Sequence, residues 1–342
     1  MVKLNIDLPD SFFLEEEING YLVSTKTKEL WAVQLDLLNE LDRVCKKYNL
    51  KYFFDFGSLL GAVRHKGFIP WDEDIDVSML REDYDKLMEI GPKEFKHPYF
   101  FQNHRTEDQY DILVTRLRRS DTTFLHPGDV IHRNKKYNLG IFIDIFVYDD
   151  VPSCDRNVLQ TIHDGCMKYN KAVKALVNYK WVYKNPMMTA IMYLRYAAYK
   201  IRYGSARKAF KQMERIAMQF NNKNSDFVSI IFSEQPLRCY PKNWFDDIIY
   251  MPFETIIAPV PAAYDVLLKE HYGDYMTPVV DPTPKVWFFD ADRPYAECVN
   301  DEYFYDDVMR ELSIEPVDDE IGVWESLQVL YKKVVKVFKT KP

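Results

Sequence analysis

A mixed α/β fold, with a sheet core interrupted by a helical layer, is what this sequence predicts, and three observations lead to it. Helix-like and strand-like apolar periodicities alternate through the first 150 residues. From Asp155 to about Asn221 the pattern becomes helical, loaded with Tyr, Met, Lys and Arg, and strand-like runs then return at 227–232. The 342 residues are 47% apolar and 15% aromatic, ample for a buried core in one large or two modest domains, which excludes disordered, collagen-like and coiled-coil chains.

Each element has its own signal. From Lys28 to Tyr48 the apolar positions Val33, Leu37, Leu38, Leu41, Val44, Cys45 and Tyr48 recur at helical spacing, and Asn49 can stop the helix. Residues 51–56 read as an aromatic strand ended by Gly57-Ser58, and 59–64 as a short helix. After Pro70 comes Trp71-Asp72-Glu73-Asp74-Ile75-Asp76-Val77. In extended chain Ile75 and Val77 share one face, and Asp74 and Asp76 project side by side from the other. A helix over 82–90 is expected to stop at Gly91-Pro92, and strands are expected at 99–102, 112–118 and 140–147, with a turn at 149–152. The helical stretch is expected to break near 184–186. Strands at 248–251 and 254–260, a helix over 262–272, a loop spaced by Pro278, Pro282 and Pro284, and a final basic helix over 323–338 complete the chain.

Charge and cysteine usage narrow the function classes. With 45 Lys+Arg against 52 Asp+Glu, the net charge of −7 argues against a nucleic-acid partner and favours a small charged substrate. Acids and Pro9 within the first ten residues speak against a secretion signal, and the stretch 187–199, broken by Arg195, is short of the ~20 apolar residues that cross a bilayer. The cysteines Cys45, Cys154, Cys166, Cys239 and Cys298 are odd in number and never form C-x-x-C, so reduced core thiols in a cytoplasmic setting are expected, without a zinc framework.

The chemistry concentrates in one ordered set: Gly57-Ser58, fifteen intervening residues, Asp74-Ile75-Asp76, then Asp144 inside an apolar run. Hard oxygen ligands of this kind suit Mg²⁺, with Mn²⁺ as the other candidate, held as one or two ions against substrate phosphates by Asp74, Asp76 and Asp144. Gly57, Ser58 and the following amides sit where a turn feeding a helix offers donors to phosphate. Each part also has an ordinary explanation. A D-x-D pair can be a solvated strand face, Gly-Ser can be a plain turn, and Asp144 between Ile143 and Ile145 can be a buried partner of Arg116 or Arg118.

Residues 56–77, FGSLLGAVRHKGFIPWDEDIDV, resemble the signature of the LicD family of phosphocholine transferases, relatives of the fukutins built on the nucleotidyltransferase fold. Gly140-Ile141-Phe142-Ile143-Asp144-Ile145-Phe146 resembles that family's second acidic strand, and Tyr272-Gly273-Asp274-Tyr275-Met276 with Pro278 its C-terminal motif, so the likeness spans roughly 30–285. Glu73 stands where the family often has Asp, which keeps the D-x-D register.

The resemblance implies a nucleotidyltransferase-like core over 28–152 after an N-terminal extension at 1–27. A helical insertion at 153–225, completing strands and a helix at 226–285, and a C-terminal extension with a basic helix at 286–342 follow. It implies transfer of phosphocholine or another phospho-alcohol from CDP-choline or a related CDP-alcohol to a sugar hydroxyl. The acceptor would be a cell-surface glycan such as lipopolysaccharide or teichoic acid, or a lipid-linked saccharide.

Carried over, Asp74, Asp76 and Asp144 are metal ligands with Asp72 beside them, Asp72 or Asp144 is the base, and Arg64, His65 and Lys66 are candidates for donor phosphate. Arg64 comes first among these because a guanidinium grips phosphate bidentately. The basic triplet can equally be a solvated helix end. Trp71 reads as an anchor of the acidic loop, and 272–275 as a lid or as a helix end capped by Gly273. The basic helices can lie on the inner face of a membrane or serve as ordinary surface helices. The rival functions are transfer of a nucleoside monophosphate and a catalytically silent subunit of glycan assembly.

Overall fold

The computed structural model describes residues 1–131, 137–177, 186–232, 237–279, 287–301 and 303–313. Expectations at Lys180, Lys184, Pro282, Pro284 and the helix over 323–338 lie outside them. The architecture is mixed α/β, as the alternating periodicities predict. Its centre is a seven-stranded sheet built from β1 (Phe53–Phe54), β2 (Asp76–Leu80), β3 (Tyr99–Gln102), β4 (Thr115–Arg119), β5 (Ile141–Val151), β6 (Phe227–Ser229) and β7 (Cys239–Pro241). The order runs β7-β6-β5-β2-β1, and β4, carrying β3, pairs along the early part of β5. Only β2 and β5 are parallel, with Asp76 opposite Asp144.

Helix α1 (Thr25–Tyr48) follows the expected periodicity. Ser24 Oγ accepts from the Thr27 N–H at its start, and left-handed Asn49 ends it. Its buried face, Leu30, Trp31, Val33, Leu37, Leu38 and Leu41, lies on β4 and β5, each large side chain contributing about 1.5–3 kcal/mol of burial. Helix α2 (Phe56–Leu60) opens from Asp55 and continues into a π-helical turn at Gly61–His65, so the short helix expected over 59–64 starts earlier and is π-helical in its second half. Helix α3 (Arg81–Glu94) follows β2.

The helical layer is α4 (Arg156–Val177), α5 (Pro186–Tyr203) and α6 (Ala206–Ala217), with α4 and α6 packed together. A hairpin of Ile248–Phe253 with Ile256–Pro261 and helix α7 (Tyr264–Tyr272) follow. Among the described residues, no helix is long and apolar enough to cross a membrane.

Four expectations are corrected. Helix α3 does not stop at Gly91-Pro92. A Cβ on Gly91 would fall 2.7 Å from the Phe101 ring, so that glycine serves the close approach of β3, and Pro92 is tolerated in the last turns. Strand β5 runs through the expected turn to Val151. The buried Asp149 accepts from Arg81 Nε at 2.7 Å and Nη2 at 2.8 Å, and Asp150 accepts from Lys242 at 2.8 Å, which removes the cost of carrying acids through a buried strand. The strand expected at 227–232 ends at Ser229. Cys154 and Cys239 form a disulfide with Cα atoms 5.3 Å apart, joining the end of β5 to β7, and Cys45, Cys166 and Cys298 are the buried free thiols.

Candidate active site

Parallel pairing of β2 and β5 sets two carboxylates from distant parts of the chain side by side, and the backbone between them is closely tied. The Asp144 N–H donates to Ile75 O at 2.9 Å, the Asp76 N–H donates to Ser58 Oγ at 2.8 Å, and the Asp55 N–H donates to Asp76 O at 3.1 Å. Ser58, expected to face a phosphate, is buried and fixes the start of the acidic strand.

The two acids differ in what surrounds them. Burial raises the Asp76 pKa well above the usual carboxylate range, and Asp74, Asp144, Asp72 and Asp55 add to the rise. No side-chain donor is bonded to Asp76 among the described residues. Asp144 accepts from Arg116 Nε at 2.6 Å and Nη2 at 3.4 Å, the ion pair that the sequence left open. Burial opposes the charge on Arg116, and Asp144 restores it and holds the guanidinium above its ordinary pKa. The Arg116 plane lies 3.7 Å from the Phe142 ring, and its Nη1 is buried without a hydrogen-bond partner among the described residues.

The acidic loop hangs from α1. Trp31 Nε1–H donates to Asp72 O at 3.1 Å, and Gln34 Nε2 donates to Glu73 O at 2.7 Å and to Phe142 O at 3.3 Å. Trp31 also stacks on Phe68 at 4.5 Å. Both residues escaped the sequence reading, although a Gln inside an otherwise apolar helix face was a usable signal. Asp55 escaped it too: fully buried, it accepts at 2.8 Å from the Phe56 N–H, Ser78 Oγ and Tyr148 OH, while burial raises its pKa. Phe56 follows with φ +46, a strained conformation for an aromatic residue at the entry to α2.

Beside the acids opens a cleft of about 330 Å³ that gathers Gly57, Arg64, Trp71, Asp72, Tyr272 and Asp274 from both ends of the predicted site. A Cβ on Gly57 would sit 2.4 Å from Asp72 Oδ2, so the glycine leaves room for the Asp72 carboxylate against α2. Arg64 donates through Nη1 to Tyr275 O at 2.8 Å and through Nε to His65 Nε2 at 2.9 Å.

Burial first, then the Arg64 charge, pulls His65 down to about 4, so it is a neutral acceptor that orients Arg64 and not a cationic phosphate contact. Lys66 is exposed in the left-handed conformation (φ +57), its carbonyl accepts from the Glu254 N–H, and it does not line the cleft. Tyr272 joins the cleft to the acids: burial, then Asp55, Asp76 and Asp72, raise its phenol. Tyr272, Asp274 and Tyr275 therefore line the cleft, while Gly273 ends α7.

Among the described residues, no three His, Cys, Asp or Glu side chains are gathered closely enough to hold a metal as they stand. The surroundings of Asp76 nonetheless suit a divalent cation, because a half-buried carboxylate under the influence of four other acids, bonded to no side-chain donor among the described residues, is relieved by such a charge. Asp144 is already neutralised.

Residues 49–180 match the family model described as LicD/FKTN/FKRP, nucleotidyltransferase domain, a span that contains Gly57, Arg64, Asp72, Asp74, Asp76 and Asp144. The chain is 28% identical over 257 residues to the lipopolysaccharide cholinephosphotransferase LicD of Haemophilus influenzae, covering 73% of this chain and 91% of that protein. It is also 29% identical over 136 residues to an uncharacterized protein of Rickettsia typhi, of which it covers 42%. An uncharacterized protein of Rickettsia prowazekii is 39% identical over 79 residues, 29% of its length.

Proposed function

Because residues 49–180 match the LicD/FKTN/FKRP nucleotidyltransferase-domain model, we propose that this protein transfers phosphocholine or a related phospho-alcohol from a CDP-linked donor to a sugar hydroxyl of a surface glycan or lipid-linked saccharide. The observation that carries the proposal is the Asp76–Asp144 register pair beside a cleft that collects Gly57, Arg64, Asp72 and Tyr272. The similarity to a lipopolysaccharide cholinephosphotransferase supports it.

The chain's own groups divide the work by position. Arg64, fixed by Tyr275 O and neutral His65, is the cation on the cleft wall for the donor diphosphate. Asp72, whose carboxylate reaches against Gly57 on the same wall, is the base that takes the acceptor hydroxyl proton. The acceptor oxygen then bonds to the phosphorus that carries the alcohol, the bridging P–O bond breaks, and CMP leaves with the electron pair.

A divalent cation, Mg²⁺ or Mn²⁺, as one or two ions, would be held by Asp74 and Asp76, and by Asp144 once Arg116 lets go of it, supplying charge neutralisation for the diphosphate. Arg116, with Nη1 unsatisfied, keeps Asp144 neutralised before the donor arrives.

The test is incubation of the protein with Mg²⁺, a soluble glycan acceptor and a panel of CDP-alcohols. Release of CMP with phospho-alcohol on the glycan supports the proposal. Pyrophosphate release from a nucleoside triphosphate would assign nucleotidyl transfer instead, and identical behaviour of the wild type and an Asp74→Ala/Asp76→Ala protein would assign a silent assembly subunit.

A further inference from the structure

The helical layer carries a second cleft, in a part of the chain that the transfer chemistry does not use. Gly204 (φ +81) and Ser205, whose hydroxyl accepts from the Lys208 N–H at 3.2 Å, turn α5 directly into α6. The turn brings Arg202 and Tyr203 beside Lys208 and Lys211, and together with Lys168 and Tyr169 of α4 they line a cleft of about 540 Å³. Four cations and no acid line it, in a chain whose net charge is −7. The two tyrosines meet edge to face at 5.7 Å. Arg202 lies 5.5 Å from the Tyr203 ring centre and Lys168 5.8 Å from that of Tyr169, so the cations stand on an aromatic floor.

A separate observation concerns the outer face of α5. Leu194 and Ile201, two turns apart, are 52% and 81% exposed, and Tyr193 is 50% exposed beside them. Ala190 and Ala197 are exposed along the same stripe, while Ile191, Met192 and Ala198 face the interior. The helix contains no Asp or Glu, and its charges are Arg195, Lys200 and Arg202. An apolar stripe flanked only by cations and tyrosine is the composition of a helix lying in a membrane interface.

We propose that the α5 stripe and the cationic cleft beside it form one docking surface for a bilayer bearing anionic phosphate headgroups. The stripe enters the headgroup boundary and the cleft receives a headgroup phosphate. Charge complementarity selects this occupant over a neutral surface, and the contact is peripheral, since no described helix is of spanning character. The docking surface stands apart from the transfer reaction, because it includes none of Gly57, Arg64, Asp72, Asp76 or Asp144.

The test is co-sedimentation of the full chain with phosphatidylcholine vesicles, with and without about 30 mol% phosphatidylglycerol. Binding is expected with the anionic vesicles only. Affinity should fall about fivefold for each of Lys208→Gln and Lys211→Gln, and at least about tenfold for Leu194→Ser/Ile201→Ser. These surface variants should keep their Tm and, with a soluble acceptor, their CMP release, which separates failure of docking from failure of the transfer proposal.

Absence of binding to anionic vesicles, or equal binding by wild type and variants, would overturn the inference. So would tight binding of inorganic phosphate in the cleft with vesicle affinity indifferent to the stripe, which marks a soluble-ligand site. A stripe variant that turns a dimer into a monomer without any vesicle binding would reassign that face to self-association.

Discussion

The two sides of the central sheet bury charge in opposite ways. Just after β1 Asp55 is buried, at the start of β2 Asp76 is half-buried, and both have raised pKa values. Asp55 is held by three neutral donors, while at Asp76 the leading neighbours are further acids. On β4, Arg116, Arg118 and Arg119 are all buried and nearly all satisfied. Arg119 pairs with Asp36 and Asp121, Arg118 donates to Gln102 Oε1 and Gly140 O while lying over Phe142, and Arg116 holds Asp144. Among the described residues the guanidiniums of β4 are paired within the chain except for Arg116 Nη1, whereas Asp76 is bonded to no side-chain donor. At Asp76 the proposed cation would supply the compensation that no side-chain donor among the described residues gives. Asp144 sits on the boundary.

The contrast can be broken most forcefully at Asp76. Asp76→Asn should lower kcat/KM for CMP release by about 10³-fold, and at the same time raise the metal-free Tm by about 2 °C, since it removes an acid crowded by acids. A loss of both activity and stability would mean that Asp76 is a structural residue. Next in size, Arg116→Met leaves Asp144 buried and uncompensated. Urea unfolding should show a loss of about 3–5 kcal/mol without divalent cation, partly recovered with Mg²⁺.

Gly57→Ala sharpens the comparison on the cleft side. Its methyl must displace Asp72, so kcat/KM should fall about 10²-fold while Tm stays within about 2 °C of wild type.

The smallest effect is a pH dependence. A carboxyl whose folded pKa is raised keeps its full share of stability below the unfolded value and loses it as pH rises through the folded value. In metal-free protein the Tm advantage of Asp76→Asn over wild type should therefore be widest at neutral pH and above, and close as pH falls toward the usual carboxylate range. A gap that widens in acid would contradict the raised Asp76.

What the sequence made legible was what local pattern encodes. The helical spacing of α1 and the misplaced acid at 144 followed from residue order, as did the Asn49 stop. What stayed hidden depends on partners distant in the chain. The run Thr115-Arg116-Leu117-Arg118-Arg119 is wholly buried; the Asp144 pairing was open in the sequence, but Gln102 for Arg118 and Asp36 for Arg119 wait on other elements. Asp149 and Asp150 read as a turn until Arg81 and Lys242 are placed against them. Gln34 and Trp31 look like core until their side-chain N–H groups are seen holding the acidic loop. The neutrality of His65 likewise arises from burial and the adjacent Arg64 and not from any local motif.

Direct titration with Mn²⁺, following the free ion by electron spin resonance, bears most immediately on Asp76 of β2. Stoichiometric binding by the wild type and its loss in Asp76→Asn is the expected result. Failure of the wild type to bind, or the same affinity in both proteins, would contradict the account.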